Sequence, residues 1–150
     1  MTLAPSPSLP PSPTSPLLAL RAAILAYLAV DATLSRLMGG ALRLTDEPPR
    51  GAAPVYALFG DAEIRDDSVD GARRHRHDLS LTVFAKPGST RSAVDAAERI
   101  ADLLHDAPLS LAGHALVRLD LAAIAVRRDP ASGETRATLT LGAVTERLQA

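Results

Sequence analysis

The strongest constraint in this chain is the run from Leu79 to Leu104, where a strand signal is followed at once by a helix signal. Leu79, Leu81, Val83 and Ala85 alternate with Asp78, Ser80, Thr82 and Phe84, the period-2 pattern of a strand with one buried face. Lys86-Pro87-Gly88 breaks that strand, and Ser89 or Ser92 stands where a cap is needed for the helix that follows. On a helical wheel Ala93, Val94, Ala97, Ile100, Ala101 and Leu104 share one side, and Arg91, Asp95, Glu98, Arg99, Asp102 and His105 share the other. A one-sided strand and a one-sided helix joined by a short turn bury their apolar faces together when the helix lies on the sheet.

With 150 residues, one domain with a full core is the expectation. The absence of cysteine excludes disulfides, thiolate metal sites and cysteine nucleophiles. A net charge of −1 lacks the basic excess of a dedicated nucleic-acid binder, and the scarce aromatics (Tyr27, Tyr56, Phe59, Phe84) offer little for base stacking. The longest apolar stretch, Leu17 to Val30, is short for a membrane span and contains Arg21. The segment before it carries no positive charge, so a secretory signal is not expected; a soluble protein, cytoplasmic at synthesis, is.

Residues 1–16 hold six of the twelve prolines, interleaved with serines, and read as a disordered Pro/Ser-rich arm ahead of a domain at 17–150. Ser15-Pro16 is a helix start, and Leu17, Leu20, Ile24 and Leu28 predict a buried stripe. Ala19, Ala22, Ala23, Ala26 and Ala29 back that helix with alanine in place of charge, which suits a subunit contact as well as plain helix propensity. A short second helix is expected over Asp31 to Leu37, ended by Gly39-Gly40. Thr45 to Pro54 reads as a loop, Val55 to Ile64 as a strand with a bulge or bend at Gly60, and Arg65 to Arg74 as a polar connection. Leu109 to Ala112 could form a short strand turning at Gly113. Val117, Leu119 and Leu121 have one parity and Ile124 and Val126 the other, which predicts a β-bulge at Ala122-Ala123. Asp129 to Gly133 is a hairpin loop, and Ala137, Leu139, Leu141 and Ala143 point inward from the last strand. The fold class is α+β, in the order α-(α)-β-β-α-β-β, with helices on one face of an antiparallel or mixed sheet.

Candidate chemistry is sparse. His75 and His77, two apart, have no third ligand nearby and stand among Arg73, Arg74 and Arg76, so a metal site is not expected. Asp66, Asp67 and Asp70 could gather a divalent cation, but Arg65 and Arg73 are close enough to neutralise them internally. Lys86 to Thr90 lacks phosphate-loop spacing, and none of the common hydrolase motifs occurs. Catalytic, cofactor-binding and metal residues are therefore all expected to be none. What remains is the Arg65 to His77 stretch, acidic in its first half (Asp66, Asp67, Asp70) and basic in its second (Arg73, Arg74, Arg76). Segregated charge of this kind suits a mobile assembly loop, although a merely solvated connection fits the same residues.

The ordered set of elements also carries a resemblance. Ala19 to Leu25 in the first helix, Pro48-Pro49-Arg50-Gly51-Ala52 before the first strand, Leu79 to Ala85, Ala101 to His105, Leu109 to Val117 and Arg127-Arg128-Asp129-Pro130 are the stretches that carry it. Over roughly residues 17 to 146 the chain resembles the tail terminator, or tail-completion, proteins of long-tailed phages and phage-derived gene transfer agents. Phe84 stands where that family often has Trp, and no Trp precedes Ser68. The resemblance implies a non-enzymatic structural protein without cofactors, a homo-oligomeric ring of six chains that caps the tail tube. Its implied partners are the major tail tube protein and the head–tail connector or stopper, with DNA passing through the ring without sequence-specific contact and no membrane involved. The implied location is the host cytoplasm during assembly and the particle tail thereafter. The nearest alternative is another head–tail adaptor of the same particle; a small-molecule-binding α+β domain would need a concave pocket with convergent polar groups.

Overall fold

The computed structural model describes residues 15–47 and 54–148. Ser15 caps α1 (Pro16–Ala29) by accepting the Leu18 amide at 3.3 Å, with Pro16 at the first helical position where its missing N–H costs nothing. Asp31 caps α2 (Ala32–Leu37) through the Leu34 amide at 2.8 Å. β1 (Leu44–Thr45), β2 (Val55–Asp66) and β3 (Arg74–Ala85) precede α3 (Thr90–Leu104), and β4 (His114–Arg128) and β5 (Thr135–Arg147) follow it. The five strands form one sheet in the order β1-β2-β3-β5-β4, antiparallel except for β1 against β2. This is the α+β class expected from the sequence.

The core lies between the sheet and the helices. Leu79, Leu81, Val83 and Ala85 are buried on β3, and directly opposite them on β5 stand the buried Leu141, Leu139 and Ala137, then Thr135. α3 covers them with Ala93, Ala96, Ala97, Ile100 and Leu104, and α1 adds Ala19, Leu20, Ala23, Ile24 and Leu28. Val94 and Ala101, expected on the buried side of α3, are half-buried flanks, and Ala96 takes a buried place instead. Leu17 is likewise half-buried, while Ala19 and Ala23 are core residues and not part of an alanine backing.

Two of the expected irregularities are present. The β2–β3 register shifts between Phe59 and Ala62, around Gly60, and the β4–β5 register shifts between Leu121 and Ala123. A Cβ at Gly60 would meet the Ser80 hydroxyl and force that side chain to turn away, so glycine leaves room for it at the bend. A second shift in β4, between Leu116 and Arg118, was not foreseen.

Other expectations are corrected. Thr45 belongs to a parallel two-residue strand, held by Ala57 N–H donating to the Arg43 carbonyl at 2.7 Å, and is not loop. The rest of that expected loop falls partly on residues 48–53, and most of the proline-rich arm on residues 1–14, both outside the described residues. Leu109 to Ala112 forms no strand; Leu111 makes a single bridge to His114 across the turn at Gly113. Ser89 is the α3 N-cap residue but makes no side-chain cap bond; Thr90 Oγ1 instead meets Thr135 Oγ1 at 2.8 Å. Arg99, placed by the wheel on the solvated side, grips Asp31 with two bonds of 2.7 and 3.1 Å and so ties α3 to the cap of α2. The Arg99 guanidinium holds the Asp31 carboxyl below the usual carboxylate range.

Ile100→Ala or Leu104→Ala is expected to cost about 2–5 kcal/mol in chemical denaturation, the range for large-to-small core changes, and Glu98→Ala well under about 1 kcal/mol. Arg99→Ala should destabilise visibly more than Glu98→Ala because it strands the Asp31 carboxylate. Equal midpoints for these last two variants would show the Arg99–Asp31 bond to be without consequence.

Candidate functional site

Nearly half of the expected Arg65 to His77 loop is strand. β2 runs to Asp66 and β3 starts at Arg74, so the connection is 67–73, and even this is organised as a narrow hairpin. Asp67 N–H donates to the Arg74 carbonyl at 2.9 Å, and Val69 and Ala72 exchange bonds of 3.1 and 2.9 Å around the turn. Asp70-Gly71 occupies the tip, with Gly71 at φ +79°, a conformation that glycine adopts without a steric penalty. Asp66 braces the hairpin by accepting from both the amide and the hydroxyl of Ser68, and the Ser68 oxygen in turn accepts the Arg74 amide at 3.3 Å. The Ser68 hydroxyl holds the Asp66 carboxyl below its ordinary range.

The hairpin lays the acidic and basic halves of the segment side by side. Asp66 lies opposite His75, and Arg65 opposite Arg76. Arg65 is drawn away from Arg76 by Glu63 at 2.9 Å and Asp78 at 3.2 Å. Arg74 is half-buried and pairs with Glu146 of β5 at 3.2 Å. Among the described residues Asp67, Asp70, Arg73 and Arg76 make no ion pair, so these four of the six candidate residues stand available to a partner, while Asp66 and Arg74 serve the hairpin itself. Between hairpin and sheet end lies an open groove of about 890 Å³ lined by Asp66, Ser68, Arg73, His75 and Arg147 with Val69 and Leu148. Its walls are shared between the hairpin and the end of β5, so it adjoins the same surface.

His77 of β3 is buried, its Nε2 at 2.9 Å from Thr145 Oγ1. Burial, reinforced by His75 and His114 nearby, pushes the imidazole down to about 4. Among the described residues no three His, Asp or Glu side chains are gathered as a metal site.

Three further surfaces stand out, of which sequence reasoning had marked only the outer side of α1, as a candidate subunit contact. The outward side of the sheet bears a ladder: Tyr56 stacks on Phe84 with centroids 5.1 Å apart, Arg136 covers Phe84 at 5.6 Å, and Thr82 meets Thr138 at 3.1 Å. The outer side of α1 exposes Leu18, Leu25 and Val30, and β4 exposes Val117, Leu121 and Val126. The alternation of β4 was visible in the sequence, but that it would be an edge strand was not. No helix among the described residues is long and apolar enough to cross a membrane.

Residues 22–146 match the family model described as tail completion protein gp17. The chain belongs to the tail completion family. Among solved structures it is similar to a chain in the virion of a native gene transfer agent particle, at 29% identity and a TM-score of 0.78, covering 87% of this chain and 96% of that one. A second solved chain, 18% identical with a TM-score of 0.58 over 89% of this chain and 97% of its own, shares the fold. No curated protein matches. Membership in the tail completion family makes this a structural protein of a phage-type tail.

Burial of His77 gives this tail completion fold a defined acid response. Between pH 6.5 and about 4 the unfolded chain binds a proton that the folded His77 excludes, so stability falls as the pH is lowered through that window. His77→Gln, which keeps a partner for Thr145, should flatten this part of the stability profile. An unchanged slope in urea titrations at pH 6.5, 5.5 and 4.5 would refute the assignment.

Proposed function

We propose that this protein closes into a ring, six-fold as its family resemblance implies, on the last ring of the tail tube. There it ends tube growth and offers its opposite face to the head–tail connector or stopper. The observation that carries the reading is the near full-length likeness, in both directions, to a chain of a gene transfer agent virion, joined to the family match over 22–146. The mechanism is interface matching: one face complements a tube subunit and the other does not accept another. The ring assembles in the host cytoplasm, takes its place in the particle tail and leaves a passage for DNA.

In this reading the β2–β3 hairpin is an assembly surface. Asp67, Asp70, Arg73 and Arg76 are its contact residues, and Asp66 and Arg74 hold its shape. Unpaired charges of both signs on one hairpin would steer and fix the register of an approaching neighbouring subunit or tube ring.

Loss of the protein should give tubes of uncontrolled length or particles whose tails fail to join heads, seen by electron microscopy and restored by the wild-type chain. The purified protein should show the solution mass of six 15.7-kDa chains. Arg73→Glu with Arg76→Glu should leave the thermal midpoint within a few degrees yet weaken ring formation or capping, the residual assembly falling further with salt. Unchanged assembly and tail length in that double variant would remove the hairpin from the mechanism. Arg74→Glu is a poorer probe, because it would set two carboxylates against each other at Glu146.

A further inference from the structure

α1 is apolar nearly all round: Arg21 is its single charged residue, and its outer side carries Leu18, Ala22, Leu25, Ala26 and Ala29. A helix without a polar face is normally covered on both sides. Leu18 is 58% and Leu25 39% exposed. Arg21 fixes where that bare side lies, because it reaches the Gly60 carbonyl at 3.2 Å, Asp46 at 3.4 Å and the face of Phe59 at 5.2 Å. All three belong to the β1–β2 edge of the sheet. Leu25 and Leu18 follow Arg21 by about 40° and 60° around the helix axis, so they lean toward the same edge.

At the opposite edge the complementary deficiency occurs. Leu121, Ile124 and Val126 of β4 lie opposite Leu141, Leu139 and Ala137 of β5, which places them on the helix-covered side of the sheet. Yet Leu121 and Val126 remain 42% and 48% exposed. Along the strand direction this patch is level with the contact of Arg21: Phe59 pairs with Leu81, Leu81 with Leu139 and Leu139 with Ile124. Charge at the two edges is also complementary. Glu47 and Asp61 flank the first edge and Arg127 and Arg128 the second, and none of these four forms an ion pair among the described residues.

We infer that α1 of one copy packs on the β4 edge of the next, Leu18 and Leu25 covering Leu121 and Val126, with Glu47 and Asp61 facing Arg127 and Arg128. Two different patches at opposite edges of one sheet make a head-to-tail contact, the kind that closes rings. This rests on the proposed ring and names its subunit interface. A second copy is the occupant because each patch finds its partner, in chemistry and in height along the strands, on the same chain.

The chain has no cysteine, so thiols can be placed without background. Leu25→Cys with Val126→Cys, treated with a short bis-maleimide, should give a ladder of linked chains, and neither single variant should. Leu25→Glu and Val126→Glu, both at exposed positions, should keep the wild-type thermal midpoint but raise the concentration for half-assembly at least tenfold by mass measurement. Intact rings in both Glu variants with no ladder from the Cys pair would overturn this contact and leave the ring reading standing. A wild type of one-chain mass without any ladder would overturn both. A ladder from open chains that never close would support the contact and count against the ring.

Discussion

The pairing of β3 with β5, roofed by α3, is the interaction on which the other elements depend. β3 has neighbours on both sides, and its register with β5 is unbroken from Arg74 to Ala85. Every second residue from Leu79 to Ala85 is buried, so a slip by one would drive Ser80 and Thr82 into the core and Leu81 and Val83 into solvent. β2 and β4 can bend and bulge because this central ladder does not. α1 and α2 are coupled to it through shared apolar packing and through the Arg99–Asp31 bond, which makes a residue of α3 part of the start of α2.

What the sequence disclosed follows from the range of the forces involved. The buried face of β3, the inward set of β5, the cap at Ser15, and the bulges at Gly60 and Ala122-Ala123 depend on periodicity or on neighbouring residues, and these were legible. β1 was not, because two residues in parallel pairing have no pattern of their own and depend on β2. The Arg99–Asp31 bond joins residues 68 apart, and a helical wheel assigns Arg99 to solvent with no knowledge of α2. For the candidate site the residues were found, but their arrangement was not. Composition alone suggested a loop with two charged halves; cross-strand bonding made it a hairpin that spends Asp66 and Arg74 on its own shape.

The sheet is finished differently on its two sides. The helix side is a core of aliphatic residues in contact with α1 and α3, whereas the outer side is a shallow relief of hydroxyls, a stacked Tyr56–Phe84 pair and an arginine over the ring. A subunit with one face packed under helices, one open face and two unlike edges has direction in every dimension. Such asymmetry is what a part with one defined position in a particle tail requires.

The bracing of the hairpin by Asp66, Ser68 and Arg74 bears on the speed of assembly. A tip that becomes ordered only on contact adds the entropy of freezing its backbone to the barrier for each encounter. Here that ordering is completed when the subunit folds, so a productive collision needs only the correct orientation. In the proposed capping role, capture of a growing tube end would then approach a rigid-body event, a gain in association rate more than in final affinity.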